Sequence, residues 1–509
     1  MGTLRRLGWS RVGVVLAALL LLTLVCTLAP VGAAPALPAR PDNAPDGPLP
    51  MVIVTLPTRA AAQAIIDAGL DVAAARIVDG KYELDIVLWK PERAFLERGG
   101  HKWTVKVADL TDIGILARTS YRNWSDYTSE VDSIANTYPS LAKKITTGYS
   151  IENRPIVGLE ISSNATSYNG RAEAFICGVH HAREWPAGEY TMNLCWDLVQ
   201  KYGSDTQVTN ALNSTRVVLV PVQNPDGFVY ARTVYNMWRK NRRLNSGGSY
   251  GVDTNRNYAY WWGGSGSSGT QSSDTYRGTA PFSEPECQAI RDLNLAHNFI
   301  TMLTNHTYSN LVLWPWGYTS THPPNNTDLV AMGNAMNDWN GYTAEQSSDL
   351  YLASGTTDDW TYGTSVNYGF TFEHGTSFQP SYSVVNTTYT TNYPAFMYLI
   401  EKADYYAGVV SGTITNAVTG LPIAATLAIT RQYAVPRSNG TYTYQNKNAS
   451  LYTGNGAYTW HINASKMPRE STDPGYTLTV TAAGYQTATV NVTIGIRSTK
   501  TVNVALNPL

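Results

Sequence analysis

Charged residues are scarce in this chain, and those present nearly balance. Asp, Glu, Lys and Arg make up 15% of the 509 residues, with a net charge of −1, against roughly 25% in an average soluble domain. A nucleic-acid partner would require lysines and arginines clustered on one face, and we therefore expect no nucleic acid to bind. Tyr, Asn, Ser, Thr and Gly replace the missing charges, a composition compatible with secretion.

Cysteine is also rare, which limits both disulfides and metal sites. Of the four cysteines, Cys26 falls in an apolar N-terminal stretch, and the others are Cys177, Cys195 and Cys287. Their spacing does not fit a zinc site. One disulfide with one free thiol is compatible with export, but the sequence does not select the pair. Cys177 lies in an apolar strand-like run, where a reduced thiol is favoured.

The chain begins with the pattern of an export signal. Three arginines precede an apolar run of 18 residues over 12–29, and small residues follow at 31–34. This order predicts a signal peptide of residues 1–33, followed over 34–50 by a linker rich in Pro and Ala. A membrane anchor is the alternative, since such a run just spans a bilayer. We favour cleavage, and therefore a secreted, extracellular protein without a membrane span in its mature form.

The length exceeds what one hydrophobic core usually serves, so we expect several folded units. The first, residues 51–117, has the pattern of a small α/β unit. Its predicted strands are Met51–Leu56, Tyr82–Leu88 and Trp103–Val107, and its predicted helices are Ala60–Ala68 and Glu92–Arg98. No group of residues typical of a catalytic site falls within it.

Residues 118–407 alternate helical and strand patterns, which indicates an α/β fold with a sheet buried on both faces. The predicted strands are the short apolar runs Ile156–Ile161, Ala174–Val179, Val217–Val222, Ile300–Asn305 and Gly369–Glu373. We expect one helix after a cap at Ser125 and another at Pro186. A third is expected to begin with a capping box of Ser283 and Glu286.

The last hundred residues, 408–509, have a different periodicity. Apolar and polar residues alternate over 476–480, 490–494 and 502–506. Such alternation between turn residues predicts antiparallel strands and an all-β sandwich. Nothing in this stretch indicates what it does.

Two of the eight histidines lie directly after a predicted strand, a position where loops on a rigid sheet commonly carry active-site residues. His181 and Glu184 are three residues apart, so both side chains can turn toward one point, and imidazole with carboxylate is part of a zinc donor set. His306 ends another predicted strand and is the candidate third ligand. The simpler alternatives are a solvated turn for the first pair and a hydrogen-bonded core histidine for His306.

A carboxylate also ends an apolar strand, at Glu373. Burying it is costly unless it is paired or functional, and it could act as a general base that takes a proton from water. Arginine, lysine and amide side chains occur in segments 224–228, 238–240 and 252–257. Arginine binds carboxylates bidentately, which is the chemistry needed to recognise a free peptide C-terminus. A solvated basic patch is the simpler alternative.

In chain order these pieces read His-x-x-Glu, Asn-Pro-Asp-Gly, Trp-Arg-Lys, Asp-x-Asn-Arg-Asn, His-x-Tyr, Tyr, Asp-Trp and Phe-x-Phe-Glu. The series, spread over residues 118–407, resembles the funnel-shaped zinc carboxypeptidases typified by carboxypeptidases A and B. The resemblance implies a mixed twisted sheet with helices on both faces and release of single residues from peptide C-termini. It likens 51–117 to the family's pro-segments, with an inhibitory or folding role. It likens 408–509 to transthyretin-like modules, with a surface-binding module as the alternative.

Carried over residue by residue, the resemblance places one Zn²⁺ on His181, Glu184 and His306, with water as the fourth ligand. Glu373 corresponds to the general base, which passes its proton to the leaving amine. Arg239 corresponds to the group that polarises the scissile carbonyl and stabilises the oxyanion.

The resemblance also implies residues around the metal and the substrate. Asp253 corresponds to the carboxylate that orients His181. Asn255 and Arg256 correspond to the groups that bind the terminal carboxylate, with Tyr351 closing over it. Arg183 is expected to meet the substrate further out.

One position implies the preferred substrate. The run from Tyr351 to Glu373 aligns with the family without gaps, and Asp358 falls where members specific for basic residues keep an aspartate. Members that prefer apolar side chains keep an isoleucine there. We therefore expect a preference for C-terminal Lys or Arg. Gly317 resembles the apolar-preferring members, so mixed or apolar specificity is the alternative.

The chain departs from the family pattern in places. Tyr250 stands where the pancreatic enzymes have a disulfide cysteine, and His374 replaces the residue after the base, which is expected to alter the mouth of the site. His180 is expected to be a neighbour of the metal and not a ligand. Two rival functions remain: a zinc amidase or deacylase on the same scaffold, and a secreted binding protein without turnover. Retention of Glu373 argues against the second.

Overall fold

The structure is a computed structural model that describes residues 47–111 and 121–509, all within one compact unit, Ala36–Leu509. The predicted signal peptide, most of the predicted linker and the boundary predicted at residues 117 and 118 lie outside the described residues. Within the described part, no helix is both long enough and apolar enough to cross a membrane.

Residues 47–111, the N-terminal unit, form a four-stranded antiparallel sheet with two helices. The elements are β1 (Met51–Leu56), α1 (Arg59–Asp67), β2 (Val72–Val78), β3 (Lys81–Val87), α2 (Lys90–Arg98) and β4 (Trp103–Val107), with the strands in the order β2-β3-β1-β4. Helix α1 begins after Thr58, whose hydroxyl accepts a hydrogen bond from Ala61 N. Sequence analysis missed β2 because its alanines give no period-two contrast.

An eight-stranded mixed sheet forms the centre of the molecule. Its strands are β5 (Ala142–Tyr149), β6 (Pro155–Ile161), β7 (Ala172–Gly178), β8 (Thr215–Val220), β9 (Phe299–His306), β10 (Leu311–Trp314), β11 (Thr343–Gln346) and β12 (Tyr368–Glu373), in the order β11-β10-β12-β9-β7-β8-β6-β5. The central strands β12, β9, β7 and β8 run parallel, whereas the pairs β5–β6, β6–β8 and β10–β12 are antiparallel and β10–β11 is parallel. This confirms the predicted mixed α/β fold.

Helices cover this sheet on both faces. They are α3 (Trp124–Thr137), α4 (Trp185–Lys201), α5 (Thr206–Ser214), α6 (Pro225–Thr233), α7 (Pro285–Ala296), α8 (Asn326–Asn340), α9 (Ser347–Leu350), α10 (Thr357–Ser365) and α11 (Tyr382–Tyr406). Every residue of β7 and β9 is buried, as expected for strands covered above and below. Helix α11 packs across β7, β8 and β9, and α10 packs on β12.

Two predicted helix starts were wrong. Helix α3 is capped at Asn123 and not at Ser125, and Asn123 N donates a 2.7 Å hydrogen bond to Asp126. Helix α7 is capped at Glu284, so Ser283 and Glu286 form no capping box. Its Glu286 instead accepts hydrogen bonds from Ile151 N and from the amide of Asn241. A capping box would need the same carboxylate oxygens, which are already bound to these tertiary partners.

The C-terminal module, residues 408–509, consists of two packed four-stranded sheets. Its strands are β13 (Gly408–Asn416), β14 (Ala425–Pro436), β15 (Tyr442–Thr453), β16 (Ala457–Ile462), β17 (Tyr476–Thr481), β18 (Ala488–Val492), β19 (Thr499–Thr501) and β20 (Val504–Leu506). One sheet joins β16, β13, β19 and β20, and the other has the order β15-β14-β17-β18. The expectation of purely antiparallel pairing was wrong, because β19 and β20 pair parallel with β13.

The β14–β15 hairpin is longer than the sandwich needs. Both strands have 12 residues, and one half contributes Leu427, Ile429 and Leu451 to the core of the module. The other half contributes Tyr433 and Val435 to the core of the central sheet. The hairpin therefore joins the module to the central α/β region.

Candidate metal centre and cleft

Three neighbouring parallel strands bring the candidate residues to one edge of the sheet. Strand β7 ends at Gly178 and leads through His181 and Glu184 into α4, β9 ends at His306, and β12 ends at Glu373. The strands lie in the order β12-β9-β7, and Glu373 is directly opposite His306 in the ladder. Because the carboxyl ends of parallel strands meet at the same edge, residues far apart in sequence become neighbours.

His181, Glu184 and His306 converge on one point. Glu184 Oε1 lies 2.7 Å from His181 Nδ1, and Glu184 Oε2 lies 2.9 Å from His306 Nδ1. The two Nδ1 atoms are 3.2 Å apart, and all three side chains are buried. Among the described residues, these three form the group of histidine, cysteine and acidic side chains that could hold a metal ion.

The donor set fits zinc. Two imidazole nitrogens and a carboxylate are the usual three protein ligands of a catalytic zinc site, which leaves a further position open. When both imidazoles carry their proton on Nε2, two Nδ1 lone pairs face each other at 3.2 Å beside the Glu184 carboxylate, and a cation bound by these donors offsets their mutual repulsion. Burial opposes ionisation of Glu184, but the two imidazoles hold the pKa of Glu184 below its ordinary value.

Asp253 connects this cluster to Arg239. His181 Nε2 lies 3.2 Å from Asp253 Oδ1, and Arg239 Nη2 donates to Asp253 Oδ2 at 2.8 Å. Although burial acts in the opposite direction, Arg239 and His181 keep the pKa of Asp253 well below its ordinary value. An ionised Asp253 favours a proton on His181 Nε2, which leaves the Nδ1 lone pair directed at the metal position.

Glu373 lies beside the cluster and is partly exposed, and the pKa of its carboxyl group is shifted in the opposite direction from that of Glu184. Burial is the main cause that raises the pKa of Glu373 to about 8, and the negative charge of Glu184 adds to it. Its Oε2 is buried and makes no hydrogen bond in the structure. A carboxyl group held this way can both accept and release a proton near neutral pH.

A cleft of about 420 Å³ begins at Glu373. The predicted substrate-binding residues that line it are Asn255, Arg256, Tyr351 and Asp358, together with Gly317. Asn255 is held by Thr357, whose backbone N and hydroxyl both lie 3.0 Å from Asn255 Oδ1. The structure therefore brings the groups expected to recognise a carboxylate and those expected to recognise a side chain into one cavity.

Asp358 lies inside this cleft and is only 3% exposed. It accepts a long hydrogen bond of 3.4 Å from Ser347 Oγ. In the neighbouring Asp359, by contrast, both carboxylate oxygens accept hydrogen bonds, from Gly317 N at 2.8 Å and from Tyr318 N at 3.0 Å. Of the two adjacent carboxylates, Asp358 is therefore the one directed at the cavity.

Arg183 does not line the cleft in this structure. Its guanidinium donates two hydrogen bonds, of 2.8 and 2.7 Å, to Asp71 of the N-terminal unit, and it stacks 4.4 Å from the ring of Phe378. Tyr308, which follows His306, donates 3.0 Å to Asp85 of the same unit. Asp71 and Asp85 were not predicted, because Asp85 follows Lys81 and Glu83 on the polar face of the alternating strand β3 and is not anomalous there.

The N-terminal unit also holds the segment around Tyr351. Gln63 on α1 both donates to Leu352 O at 3.3 Å and accepts from Leu352 N at 2.8 Å. Leu350 and Tyr351 pack against the apolar core of the N-terminal unit. The unit therefore contacts the mouth of the cleft through hydrogen bonds, ion pairs and apolar packing together.

The family departures have structural explanations. Tyr250 is one of three aromatic residues that surround Arg242, with its ring centroid 4.5 Å from the guanidinium. The expectation that His374 alters the mouth of the site was wrong: it is buried between Tyr342 and Asn305, and burial lowers the pKa of His374 to about 3. His180 bonds to Tyr258, Thr304 and Thr357 and lies outside the candidate ligand group. Cys177, Cys195 and Cys287 are free and buried.

Comparisons with known proteins agree with this geometry. The family profile for zinc carboxypeptidases matches residues 127–395. Carboxypeptidase A2 of Rattus norvegicus is 35% identical over 263 residues, which cover 50% of this chain and 62% of that protein. Mast cell carboxypeptidase A of Homo sapiens is 32% identical over 265 residues, with the same coverage of 50% and 62%. The chain thus matches less than two thirds of the length of these relatives.

Solved structures support the fold. Carboxypeptidase A from Helicoverpa armigera superposes with a TM-score of 0.62 at 21% identity and covers 70% of this chain and 97% of its own. Thrombin activatable fibrinolysis inhibitor superposes with a TM-score of 0.59 at 25% identity and covers 70% of this chain and 99% of its own.

Proposed function

Because this chain belongs to the zinc carboxypeptidase family, whose cofactor is Zn²⁺, we propose that it is a secreted metallopeptidase that releases single residues from peptide C-termini. The observation that carries the proposal is that Glu373, which lies opposite His306 of the candidate ligand group, also lines the cleft that contains Asn255 and Arg256. The N-terminal sequence pattern and the weakly charged composition support export.

His181 Nδ1, Glu184 and His306 Nδ1 would hold the zinc ion. Bound there, zinc would lower the pKa of a water molecule and polarise the peptide carbonyl. Glu373 would accept the proton of the attacking water on its buried carboxylate and deliver it to the leaving amine. Arg239, fixed by Asp253 at 2.8 Å, would donate hydrogen bonds to the oxygen on which negative charge develops.

The wall of the cleft would select a free C-terminus. Arg256 is anchored through Nε to Gly266 O at 2.7 Å and through Nη1 to Asn255 O at 2.8 Å. Its charge, with the Asn255 amide, would bind the terminal carboxylate, and Tyr351 would close over it. These groups favour an exopeptidase over a zinc amidase or deacylase on the same scaffold, because such enzymes often lose the arginine and tyrosine that bind the terminal carboxylate.

We propose that the preferred substrates end in Lys or Arg, because Asp358 is buried in the cleft with one long hydrogen bond. A carboxylate in that position is costly unless a cation joins it, and a substrate ammonium or guanidinium would be that cation. The names of the curated relatives, which are carboxypeptidases A, favour apolar or mixed specificity as the alternative.

A blocked-dipeptide series tests both proposals. We expect the purified chain to release C-terminal Arg from hippuryl-Arg, to lose this activity on chelation and to recover it on zinc addition. Asp358→Ala should lower kcat/KM for hippuryl-Arg relative to hippuryl-Phe by at least tenfold, about the 1.4 kcal/mol of one charge-assisted contact. Equal rates on Phe and Arg in the unmodified enzyme would refute the preference for basic residues but not the peptidase assignment.

The N-terminal unit would act as an inhibitory pro-segment. Asp71 forms an ion pair with Arg183, and Asp85 accepts a hydrogen bond from Tyr308. Gln63 accepts a hydrogen bond from the backbone of Leu352, next to Tyr351. A substrate that needs these groups would have to displace the unit. Limited proteolysis that removes it should therefore increase peptidase activity.

A further inference from the structure

The C-terminal module contacts the helix whose residue Asp358 lines the cleft. Helix α10, which begins at Thr357 and carries Asp358, packs on strand β12 on one side and on β14 of the module on another. The module therefore lies against the element that positions the proposed specificity residue.

The first contact is a buried hydrogen bond between side chains. Trp360 Nε1 donates 3.0 Å to Gln445 Oε1 on strand β15, and both residues are buried. The Trp360 ring also packs on Tyr258 and Phe282, with centroids 5.6 and 5.3 Å away. Gln445 faces inward at a position where a sandwich strand would carry an apolar residue, so its place is explained by Trp360 and not by the core of the module.

The second contact reaches the cleft residue Gly317 through Trp261 and Tyr318. Trp261 N donates 2.8 Å to Pro436 O at the end of β14. The Trp261 ring stacks on Tyr318, with centroids 4.7 Å apart and planes 11° apart. Tyr318 N and the cleft residue Gly317 both donate to Asp359.

Both contacts converge on the three residues from Asp358 to Trp360. We propose that the C-terminal module forms the outer support of the specificity pocket, with Gln445 as a positioning residue that holds α10, and hence Asp358, against the substrate side chain. This rests on the proposed function, since it assigns the module a part in recognising the C-terminal residue. Losing the support should weaken binding of that residue and leave the bond-breaking groups unchanged.

The rival explanation is that the module is only a tether that stabilises the fold. A matched control separates the two. Asn463 is a second buried amide at the same junction, and its Nδ2 donates 2.7 Å to Phe299 O at the start of β9. Phe299 is at the opposite end of β9 from His306, so Asn463→Leu removes a comparable bond far from the cleft.

The experiment compares Gln445→Met, Trp360→Phe, the double variant and Asn463→Leu in the full zinc-loaded chain, before and after limited trypsin digestion to remove the N-terminal unit. Gln445→Met should raise KM for the best-cleaved hippuryl dipeptide about 3- to 10-fold, the loss of one buried hydrogen bond, with kcat within about twofold. Trp360→Phe should raise KM at least as much, because it also trims the ring that packs on Tyr258 and Phe282, and the double variant should be no worse than Trp360→Phe alone, because both substitutions remove the same hydrogen bond. Asn463→Leu should leave KM unchanged.

Hydrogen exchange of backbone amides 357–365 provides a readout that does not require activity. These amides should exchange at least about fivefold faster in Gln445→Met than in Asn463→Leu. Equal KM and exchange in both variants, with melting temperatures lowered alike, would overturn the proposal and leave the tether. If hippuryl-Phe is the best substrate, the preference for basic residues is refuted, but the KM comparison still distinguishes pocket support from a tether. If the chain has no peptidase activity, the hydrogen-exchange comparison alone distinguishes the two explanations.

Discussion

Replacing Asp71 by asparagine should loosen the N-terminal unit from the cleft. Asp71 and Arg183 are at most 2% exposed and form a two-bond ion pair. Removing one partner of a buried pair costs about 3–5 kcal/mol because the other charge is left uncompensated. The aromatic ring of Phe378, 4.4 Å from the guanidinium, offsets part of this, so we expect about 3 kcal/mol.

That energy corresponds to about a 100-fold weaker docking equilibrium. If the unit blocks the cleft, hippuryl-Arg cleavage by the untreated Asp71→Asn chain should rise at least tenfold toward the rate of the trypsin-treated enzyme. Glu83→Gln is the matched control, since Glu83 pairs at 2.7 Å with Arg76 inside the unit and both side chains are partly exposed, at 21% and 35%. Such a pair contributes about 0–1 kcal/mol to stability, so the activity of the untreated Glu83→Gln chain should stay within twofold of the untreated wild type.

Two results would refute the reasoning. The untreated wild-type chain could already be as active as the treated one, which would mean that the unit does not block the cleft. Alternatively, a folded Asp71→Asn chain could remain as inactive as wild type while trypsin activates both, which would mean that the ion pair does not control docking.

Three further predictions concern the metal site and the junction with the C-terminal module. Glu373→Gln should lower kcat by about 10²- to 10⁴-fold without changing zinc content, and a variant that loses zinc would contradict this. Asp253→Asn should weaken zinc affinity about 10- to 100-fold in a chelator titration; unchanged affinity would exclude its orienting role. Burial lowers the pKa of Lys447 to about 7, below its unfolded value of about 10.4, so the unfolded state binds more protons between these values. The free energy of unfolding in urea should therefore rise between pH 7 and 10, and Lys447→Met should remove that contribution.

The metal-site residues were accessible from sequence because each is tied to a strong local pattern. His181, His306 and Glu373 each follow or end an apolar run, and parallel strands necessarily bring such ends together. The capping predictions at Ser125 and Ser283 failed, because nearby residues took the cap and Glu286 found tertiary partners instead.

The junctions between units were not accessible in the same way. Asp71 and Asp85 belong to a unit with no catalytic pattern, and their meaning depends on a docking partner over a hundred residues away. In β15, the inward Gln445 and Lys447 interrupt the apolar alternation. That half of the strand packs on the central region, where polar side chains find partners. The hairpin was therefore not predicted, because its sequence lacks the alternation of a strand that faces an apolar core.

The central claim is that His181, Glu184 and His306 share one zinc ion. Zinc content of the purified full chain, measured by mass spectrometry after desalting, tests it most directly when His306→Ala is compared with His180→Ala. The structure predicts one zinc per chain in the wild type and in His180→Ala, and almost none in His306→Ala. Full zinc retention by a folded His306→Ala chain would contradict the claim.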